Sequence, residues 1–211
     1  MSRPALEFFF DLSSPWTYLA FCNVHAVVQR TDAELRLRPI LVGGVFNAVN
    51  PGVYAARQNP DDRRLRQAFR VLHDWAEWSG VTLRFPSRWH PARSVLAMRM
   101  AAALEDDSSV LLAFAREAFA AYFVREENLD APEVLAAVAE AVGLEGATLL
   151  LQAQTEPVKA RLRANTDELI ARGGFGSPSM FVGDKLFFGN DQLPVVEQEL
   201  RRWVRQRPVI E

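Results

Sequence analysis

A serine hydroxyl stands at the predicted start of a helix that directly follows the first predicted strand. The stretch FFFDLSSPWTYLAF, residues 8–21, passes from an apolar run to two serines, a proline and a segment with helical spacing. Pro15 suits the first turn of a helix, because the N–H that proline lacks would have no partner there. A helix N-terminus also presents free backbone N–H groups and partial positive charge, which favour a bound anion. From spacing alone, we expect Ser13 or Ser14 to cap the helix.

Two further polar pairs stand next to predicted elements. Ser177-Pro178 comes just before a predicted strand, where proline is tolerated and a simple turn would explain it. Asn190-Asp191 precedes the last predicted helix, and the capping preference of Asn and Asp would explain it. The histidines, His25, His73 and His90, have no partners nearby in the sequence. We expect them to be satisfied structural residues rather than ligands.

Apolar runs and turn signals predict the elements that position these residues. Residues 6–10 are typical of a central strand, and the helix that follows extends to about Arg30. The stretch from Leu35 to Val42 alternates leucine with arginine, which predicts a second strand with one solvated side. Gly43-Gly44 is predicted to be a break after that strand.

A block of helices is predicted next, and two strands and a helix follow it. Apolar residues at helical spacing predict helices at 61–79, 94–104, 110–125, 130–143, 145–154 and 157–172. The fourth of these has Asp130 as its predicted N-cap. Gly173-Gly174 ends the block, and Gly183-Asp184-Lys185 joins two short strands. Trp75 and Trp78 form a stripe that is predicted to be core or dimer surface.

The predicted order is β-α-β, the helical block, and then α-β-β-α. Without the block this is βαβ-αββα, the thioredoxin topology, so the predicted fold class is α/β with an all-helical insertion. The predicted domains are a thioredoxin-like unit of residues 1–44 plus 156–211 and a helical insertion of residues 45–155.

The composition of the 211-residue chain narrows the kinds of protein it can be. A net charge of -2 gives no reason to expect a nucleic acid or an acidic membrane as partner. The one cysteine, Cys22, excludes an intramolecular disulfide, and no Cys/His cluster predicts a metal site. The first residues lack a signal-peptide pattern, and no apolar stretch approaches the roughly 20 residues that span a bilayer. We therefore expect a soluble cytoplasmic protein with no membrane partner.

Three stretches in register resemble one family over essentially the whole chain. They are FDLSSPWTYLA at 10–20, GGVF at 43–46 with Asn50-Pro51, and residues 165–191, which contain NTD, RGGFGSP and FGND. This family comprises the kappa-class glutathione transferases and the bacterial 2-hydroxychromene-2-carboxylate isomerases. Both belong to the thioredoxin-like group that includes the periplasmic disulfide oxidases of the DsbA type. The GGVF and FFGND segments resemble the isomerases more closely.

The resemblance implies that the protein borrows its reactive thiol. In the disulfide oxidases the equivalent helix begins Cys-Pro-x-Cys, whereas this chain has Ser-Pro-Trp-Thr at residues 14–17. The sulfur would then come from glutathione as cofactor. Ser14 would act as the catalytic residue by donating its hydroxyl hydrogen to the glutathione thiolate, while Ser13 stays a capping residue.

The resemblance also implies how the rest of glutathione is bound. Pro178 would be a cis-proline, and the backbone of Ser177 before it would bind the cysteinyl part. Asn190 and the N-terminus of the last helix would bind the γ-glutamyl carboxylate, and Asp191 would bind its ammonium group. Capping and ligand binding by these residues do not exclude each other.

The predicted substrate contacts depart from the family pattern. Asn50 resembles an asparagine that contacts glutathione or substrate, although Val49 precedes it where the family has glycine. Asn47 stands where many members have lysine. Arg93 replaces the usual asparagine, and would either receive a substrate carboxylate or lie solvated at a helix start.

The resemblance implies a glutathione-dependent isomerase of the 2-hydroxychromene-2-carboxylate type. It also implies a homodimer, and a small aromatic substrate that packs against the helical insertion. Glutathione thiolate would add reversibly to a conjugated bond of an aryl pyruvate, that bond would rotate, and elimination would restore the thiol. The alternative is a kappa-type transferase or peroxidase. A disulfide oxidoreductase is disfavoured because Cys22 has no second cysteine. The non-enzyme interpretation is a thioredoxin-like binding scaffold.

Overall fold

A four-stranded mixed sheet forms the centre of the fold. The computed structural model describes residues 3–54 and 63–205. The strands are β1 (Ala5–Phe10), β2 (Glu34–Pro39), β3 (Ser179–Val182) and β4 (Lys185–Phe188), in the spatial order β2-β1-β3-β4. Strand β1 is parallel to β2 and antiparallel to β3, and β3 is antiparallel to β4.

Helices connect and cover these strands. They are α1 (Pro15–Thr31), α2 (Val42–Val49), α3 (Arg63–Trp78), α4 (Val95–Ala103), α5 (Ser108–Phe123), α6 (Pro132–Ala141), α7 (Gly146–Gln152), α8 (Glu156–Ala171) and α9 (Leu193–Arg205), with a short 3₁₀ helix at Asn190–Gln192. The chain thus runs β1-α1-β2, a block of helices, and then α8-β3-β4-α9. This is the thioredoxin topology with inserted helices, and the predicted fold class is confirmed.

The central strand β1 is covered on both faces because its side chains alternate between them. Phe8 and Phe10 belong to the large core that includes α1, whereas Phe9 lies in a smaller cluster with Phe181 of β3 and Leu169 of α8. A strand buried on both faces has a nearly continuous apolar sequence rather than an alternating one. This explains the run LEFFF at the start of the chain.

One apolar core joins the sheet to the inserted helices. The rings of Tyr18 and Phe21 on α1 pack against Phe119 of α5, with centroids 5.6 and 5.0 Å apart. Tyr18 also stacks on Phe123 at 5.0 Å. All four belong to the same buried cluster as Phe8 of β1. The contact between α1 and α5 therefore holds the start of α1 against the inserted helices.

The predicted break at Gly43-Gly44 is wrong, because both glycines lie inside helix α2. Strand β2 ends at Pro39 and α2 begins at Val42. The Val42 N–H donates to the carboxylate of Asp11 at 2.9 Å, so a distant residue satisfies a donor that the helix start leaves free. The predicted domain boundary after residue 44 therefore falls within α2. The division into domains stays a prediction.

The predicted N-cap Asp130 is also wrong. Ala131 is the N-cap of α6, and Pro132 is its first residue. Asp130 instead accepts a hydrogen bond from the backbone N–H of Arg93 at 2.6 Å. Its carboxylate therefore ties the segment before α4 to the segment before α6.

Among the helices described, none is by itself long and apolar enough to cross a membrane. Helices α6 and α7 reach the length and apolar composition of a membrane-spanning segment only when they are taken together, and the pair is bent by 120°.

Candidate active site

Ser14 caps helix α1 and also faces the segment before β3. Its backbone is extended (φ -92°, ψ 117°), and its Oγ accepts a hydrogen bond from the Thr17 N–H at 3.2 Å. The same hydroxyl donates to the carbonyl oxygen of Ser177 at 3.3 Å. The cap that the spacing predicts is therefore present, and the hydroxyl hydrogen is held by a long hydrogen bond that a stronger acceptor can replace.

Ser13 does not cap the helix, so that part of the prediction is wrong. Its N–H and its Oγ–H both donate to Oδ1 of Asp11, at 2.9 and 2.8 Å. Ser13 thereby closes the turn between β1 and α1.

Ser177 and Pro178 lie beside the start of α1 because β3 pairs with β1. In that antiparallel pair Ser179 lies opposite Phe9, which brings the two preceding residues to the end of β1. The peptide bond between Ser177 and Pro178 is cis, as the resemblance implies. The Ser177 hydroxyl accepts from the Asp11 N–H at 3.1 Å and shares a hydrogen bond of 2.7 Å with the Thr17 hydroxyl. The Ser177 side chain therefore helps to hold the loop against α1.

Asp11 organises the site, although its side chain was not among the residues predicted to act there. It is fully buried, and its Oδ2 accepts hydrogen bonds from the Val42 N–H at 2.9 Å and from the Ser94 hydroxyl at 3.0 Å. Its Oδ1 accepts the two from Ser13. A buried carboxylate needs such partners to offset the loss of water. The signal in the sequence is an aspartate directly after the apolar run of a central strand.

The first turn of α1 keeps one backbone donor free. Pro15 has no N–H, the Thr17 N–H binds Ser14 Oγ, and the Tyr18 N–H binds the Ser14 carbonyl at 3.0 Å. The Trp16 N–H has no hydrogen-bond partner within residues 3–54 and 63–205. The first turn carries no acidic residue. The helix start therefore offers the Trp16 N–H, partial positive charge and the Ser14 hydroxyl to an anion.

The structure does not bring Asn190 to Ser14. Asn190 is 2% exposed, and its Oδ1 accepts a hydrogen bond from Asn23 of α1 at 2.9 Å. Asn23 lies nine residues beyond Ser14, which is about 13 Å along the helix axis. Asn190 therefore lies beside the middle of α1 rather than its start, and its partner Asn23 was not predicted.

Asp191 is exposed next to Asn190 and accepts a hydrogen bond from the Gln192 side chain at 3.3 Å. Both residues belong to the 3₁₀ helix Asn190–Gln192, which separates them from α9. The predicted cap directly before the last helix is therefore wrong. Their roles toward glutathione stay predictions.

The three residues predicted to contact substrate occupy different positions around the loop. Asn50 ends α2, and its Nδ2 donates to the Phe175 carbonyl at 3.4 Å, two residues before Ser177. Asn47 is exposed on α2, one turn earlier. Arg93 has a side chain that is 92% exposed, with its Nε 3.7 Å from Asp130 Oδ2. This position favours the solvated interpretation of Arg93.

Four aromatic residues, Phe46, Tyr54, Phe175 and Phe188, line the loop that precedes Pro178; we call them the aromatic cluster. The rings of Phe175 and Phe188 have centroids 4.4 Å apart, and those of Phe46 and Tyr54 are 6.2 Å apart. A Cβ on Gly176 would lie 2.9 Å from the Phe188 ring, so glycine permits this close approach. The resemblance assigns the aromatic substrate to the surface of the inserted helices. The aromatic cluster is a second apolar surface that could contact such a substrate.

The expectation of satisfied histidines holds for His73 and fails for His25. His73 Nε2 lies 2.9 Å from the Phe85 carbonyl. Nε2 of His25 is buried without a hydrogen-bond partner. Trp78 is 79% exposed, so the core interpretation is wrong for it, and the dimer-surface interpretation stays a prediction. In the described part of the chain, no three His, Cys, Asp or Glu side chains are placed to hold a metal ion.

This geometry defines a thioredoxin-like protein with a serine at the start of α1, opposite a cis-proline. The chain matches the family described as DSBA-like thioredoxin domain over residues 5–201, and it belongs to that family.

Within the family, the chain is similar to proteins of two named activities. It is 28% identical to a 2-hydroxychromene-2-carboxylate isomerase of Sphingobium xenophagum over 204 residues, 92% of this chain and 97% of the relative. It is 27% identical to glutathione S-transferase kappa 1 of Rattus norvegicus, over 96% of this chain and 94% of the relative. A solved structure of 2-hydroxychromene-2-carboxylate isomerase superposes with a TM-score of 0.78 at 25% identity, covering 96% of this chain and 97% of that one.

Proposed function

We propose that this protein is a glutathione-dependent isomerase of the 2-hydroxychromene-2-carboxylate type. Glutathione would supply a thiolate that adds reversibly to a conjugated bond of an aryl pyruvate, which lets that bond rotate before the thiolate leaves. The naming of the Sphingobium xenophagum relative supports this activity.

The observation that carries the proposal is Ser14 at the N-cap of α1. The hydroxyl faces the cis-proline loop where a thiol would stand in a disulfide oxidase, and the one cysteine of the chain lies eight residues further on. The reactive sulfur must therefore belong to a ligand. A neutral tripeptide thiol reaches its reactive form only if the site favours the thiolate.

The start of α1 fits a thiolate. Ser14 turns its hydroxyl hydrogen from the Ser177 carbonyl to the sulfur, and the Trp16 N–H gives a second donor. One charge-assisted hydrogen bond is worth roughly 1.5–3 kcal/mol. That energy lowers a thiol pKa by about one to two units.

The residues around the start of α1 supply the remaining proposed contacts with glutathione and substrate. The freed Ser177 carbonyl and the Ser177 N–H take the cysteinyl backbone. The exposed Asp191 takes the ammonium group, and Asn190, whose Oδ1 is held by Asn23, takes the γ-glutamyl carboxylate with its amide N–H. The aromatic cluster, together with Asn47 and Asn50 close to Phe46 in the chain, forms the surface for an aromatic substrate.

Calorimetric titration with reduced glutathione tests the cofactor first, with S-methylglutathione as the comparison that cannot form a thiolate. We expect one saturable site that prefers reduced glutathione. An intact protein that shows no heat and no thermal stabilisation at millimolar glutathione would overturn the proposal and leave a non-catalytic scaffold.

A spectrophotometric assay of chromene isomerisation tests the reaction. We expect Ser14→Ala to lower kcat more than it weakens glutathione binding, because the hydroxyl acts on the thiolate. Ser108→Ala is the matched control, since Ser108 is an exposed serine at the start of α5. Equal turnover by Ser14→Ala and wild type would remove Ser14 from the mechanism.

A kappa-type transferase or peroxidase is the second candidate, favoured by the similarity to glutathione S-transferase kappa 1 of Rattus norvegicus. Activity toward an aryl halide or an organic hydroperoxide, without isomerase activity, would select it. The homodimer and the cytoplasmic location belong to the same proposal, and analytical ultracentrifugation and cell fractionation test them.

A further inference from the structure

A cavity of about 280 Å³ lies in the groove between α1 and α5, away from the start of α1. It is lined by Tyr18, Phe21, Cys22, His25, Arg116, Phe119 and Ala120. Cys22 and His25 stand two and three turns beyond Ser14 along α1. The four α1 residues, Tyr18, Phe21, Cys22 and His25, share one helix face, whereas Asn23, which binds Asn190, does not line the cavity. The cavity therefore lies on a different face of α1 from the residues assigned to glutathione, and the proposed reaction does not use its residues.

Aromatic rings form most of the wall. The rings of Phe21 and Phe119 have centroids 5.0 Å apart, and the ring of Tyr18 lies 5.6 Å from that of Phe119. The imidazole of His25 meets the edge of Phe21 at 5.2 Å. Such surfaces bind a flat aromatic ring through stacked and edge-to-face contacts.

Two polar groups in this wall have no partner. Nε2 of His25 is buried and makes no hydrogen bond. Arg116 is exposed, and neither a hydrogen bond nor an ion pair joins its guanidinium to a residue in the part of the chain that the structure describes. A buried polar atom without a partner costs free energy, so Nε2 of His25 points to a ligand that brings a hydrogen-bond partner. The positive charge of the exposed Arg116 at the same groove favours a ligand that carries negative charge.

The charge of Arg116 reaches the other polar groups of the cavity. Burial, and then the positive charge of Arg116, lower the pKa of His25, which favours the neutral imidazole with hydrogen on one of its two nitrogens. Burial raises the pKa of the Cys22 thiol, which a hydrogen bond with Tyr18 and then the charge of Arg116 offset in part. Burial also raises the pKa of Tyr18, so at neutral pH the cavity holds one positive charge and three neutral polar groups, on Tyr18, Cys22 and His25.

We propose that this cavity binds a small aromatic monocarboxylate. The carboxylate pairs with the guanidinium of Arg116 and accepts the Nε2–H of His25, while the ring lies between the partly exposed Cys22 and Ala120, above the buried Phe21 and Phe119. The planar guanidinium matches a carboxylate, which has acceptors only. The volume equals about nine water molecules at about 30 Å³ each, enough for a single substituted ring. This inference does not depend on glutathione.

Calorimetric titration with benzoate tests the proposal, with benzamide as the neutral probe of similar shape. We expect saturable binding of benzoate and at least tenfold weaker binding of benzamide. Arg116→Gln should weaken benzoate binding at least tenfold, and Arg163→Gln, an exposed arginine on α8, should leave it unchanged. Equal binding of both probes, or an unchanged affinity in Arg116→Gln, would overturn the proposal.

The single cysteine locates the bound ligand. Because Cys22 lines the cavity, benzoate should slow its alkylation by iodoacetamide in wild type, as measured by mass spectrometry. His25→Phe keeps the ring packing and removes Nε2, and should raise the benzoate concentration needed for protection. Saturating S-methylglutathione should leave the protection unchanged. Benzoate binding without protection of Cys22, or displacement by S-methylglutathione, would place the ligand elsewhere and refute this site.

Discussion

The hydroxyl of Ser14 donates to the carbonyl oxygen of Ser177 at 3.3 Å, although 163 positions separate the two residues in the chain. The contact exists because β1 and β3 pair antiparallel, which sets the loop before β3 against the start of α1. The same Oγ accepts the Thr17 N–H. Ser14 therefore caps the helix through its Oγ, and its hydroxyl hydrogen is held in a long hydrogen bond that a thiolate can take over. The two roles can be separated by substitution.

Ser14→Ala should remove both the helix cap and the thiolate donor. Loss of a serine N-cap costs about 1 kcal/mol of stability, whereas glycine at the same position costs only a few tenths. Ser14→Gly should therefore restore most of the stability. In both variants we expect the pKa of bound glutathione to rise by about one to two units relative to wild type.

Ultraviolet titration of the thiolate measures that pKa, and chemical denaturation measures the stability. The comparison of Ala with Gly at position 14 separates the cap from the donor. A bound thiol pKa that is the same in wild type and both variants would show that the Ser14 hydroxyl does not stabilise the thiolate.

Asp11→Ala should destabilise the protein strongly. Substitution removes the acceptor of four hydrogen bonds, from Ser13, Val42 and Ser94, and leaves these donors without a partner. Each unsatisfied buried donor costs about 1–3 kcal/mol, so we expect a loss of at least about 3 kcal/mol in the free energy of unfolding. Urea unfolding measures it.

Asp11→Asn is the conservative comparison, because the amide keeps one oxygen acceptor. This variant should lose less free energy of unfolding than Asp11→Ala. Asp184→Asn, in the exposed turn between β3 and β4, should change the free energy of unfolding by less than about 0.5 kcal/mol. If Asp11→Ala unfolded at the same urea concentration as wild type, the network would not hold the site together.

Arg93→Ala distinguishes the two interpretations of Arg93. The side chain is 92% exposed, and the short hydrogen bond to Asp130 comes from the backbone N–H, which alanine keeps. We therefore expect the KM for substrate to change by less than about twofold, since exposed ion pairs contribute little. Steady-state kinetics check this. A KM raised more than about tenfold, with kcat retained, would instead assign the substrate carboxylate to Arg93.

Acid should weaken the contact between α1 and α9. Hydrogen bonds from Arg30 and Arg201 lower the pKa of Glu197 from its usual 4.5 to about 2. The pKa of Glu197 is lower in the folded protein than in the unfolded chain. The ion pairs therefore contribute their full stability above about pH 4.5, and that stability is lost as the pH falls toward about 2. Thermal unfolding across this range measures the loss.

Glu197→Gln should flatten this acid dependence, because glutamine does not titrate. Glu140→Gln, an exposed glutamate at the end of α6, should retain it. Identical acid profiles for wild type and Glu197→Gln would show that these ion pairs do not contribute.

Local patterns predicted the elements well and their ends less well. The runs of apolar residues located β1, α1 and the helices of the block, because periodicity reflects which face is buried. The errors lie where a distant partner supplies a hydrogen bond. The carboxylate of Asp11 permits α2 to begin at Val42, and the N–H of Arg93 takes the carboxylate of Asp130 away from the helix start.

The sequence by itself determined the order of the strands and of the helices other than α2, and the serine that starts α1, because these depend on residues that are neighbours in the chain. It also determined that no protein thiol lies in the first turn of α1. The tertiary structure decided which groups meet: Ser14 with Ser177, Asp11 with Ser94, and Asn23 with Asn190. It also placed Arg116 and His25 around one cavity in the α1–α5 groove. Such contacts depend on strand pairing and helix packing over many residues, which local spacing does not encode.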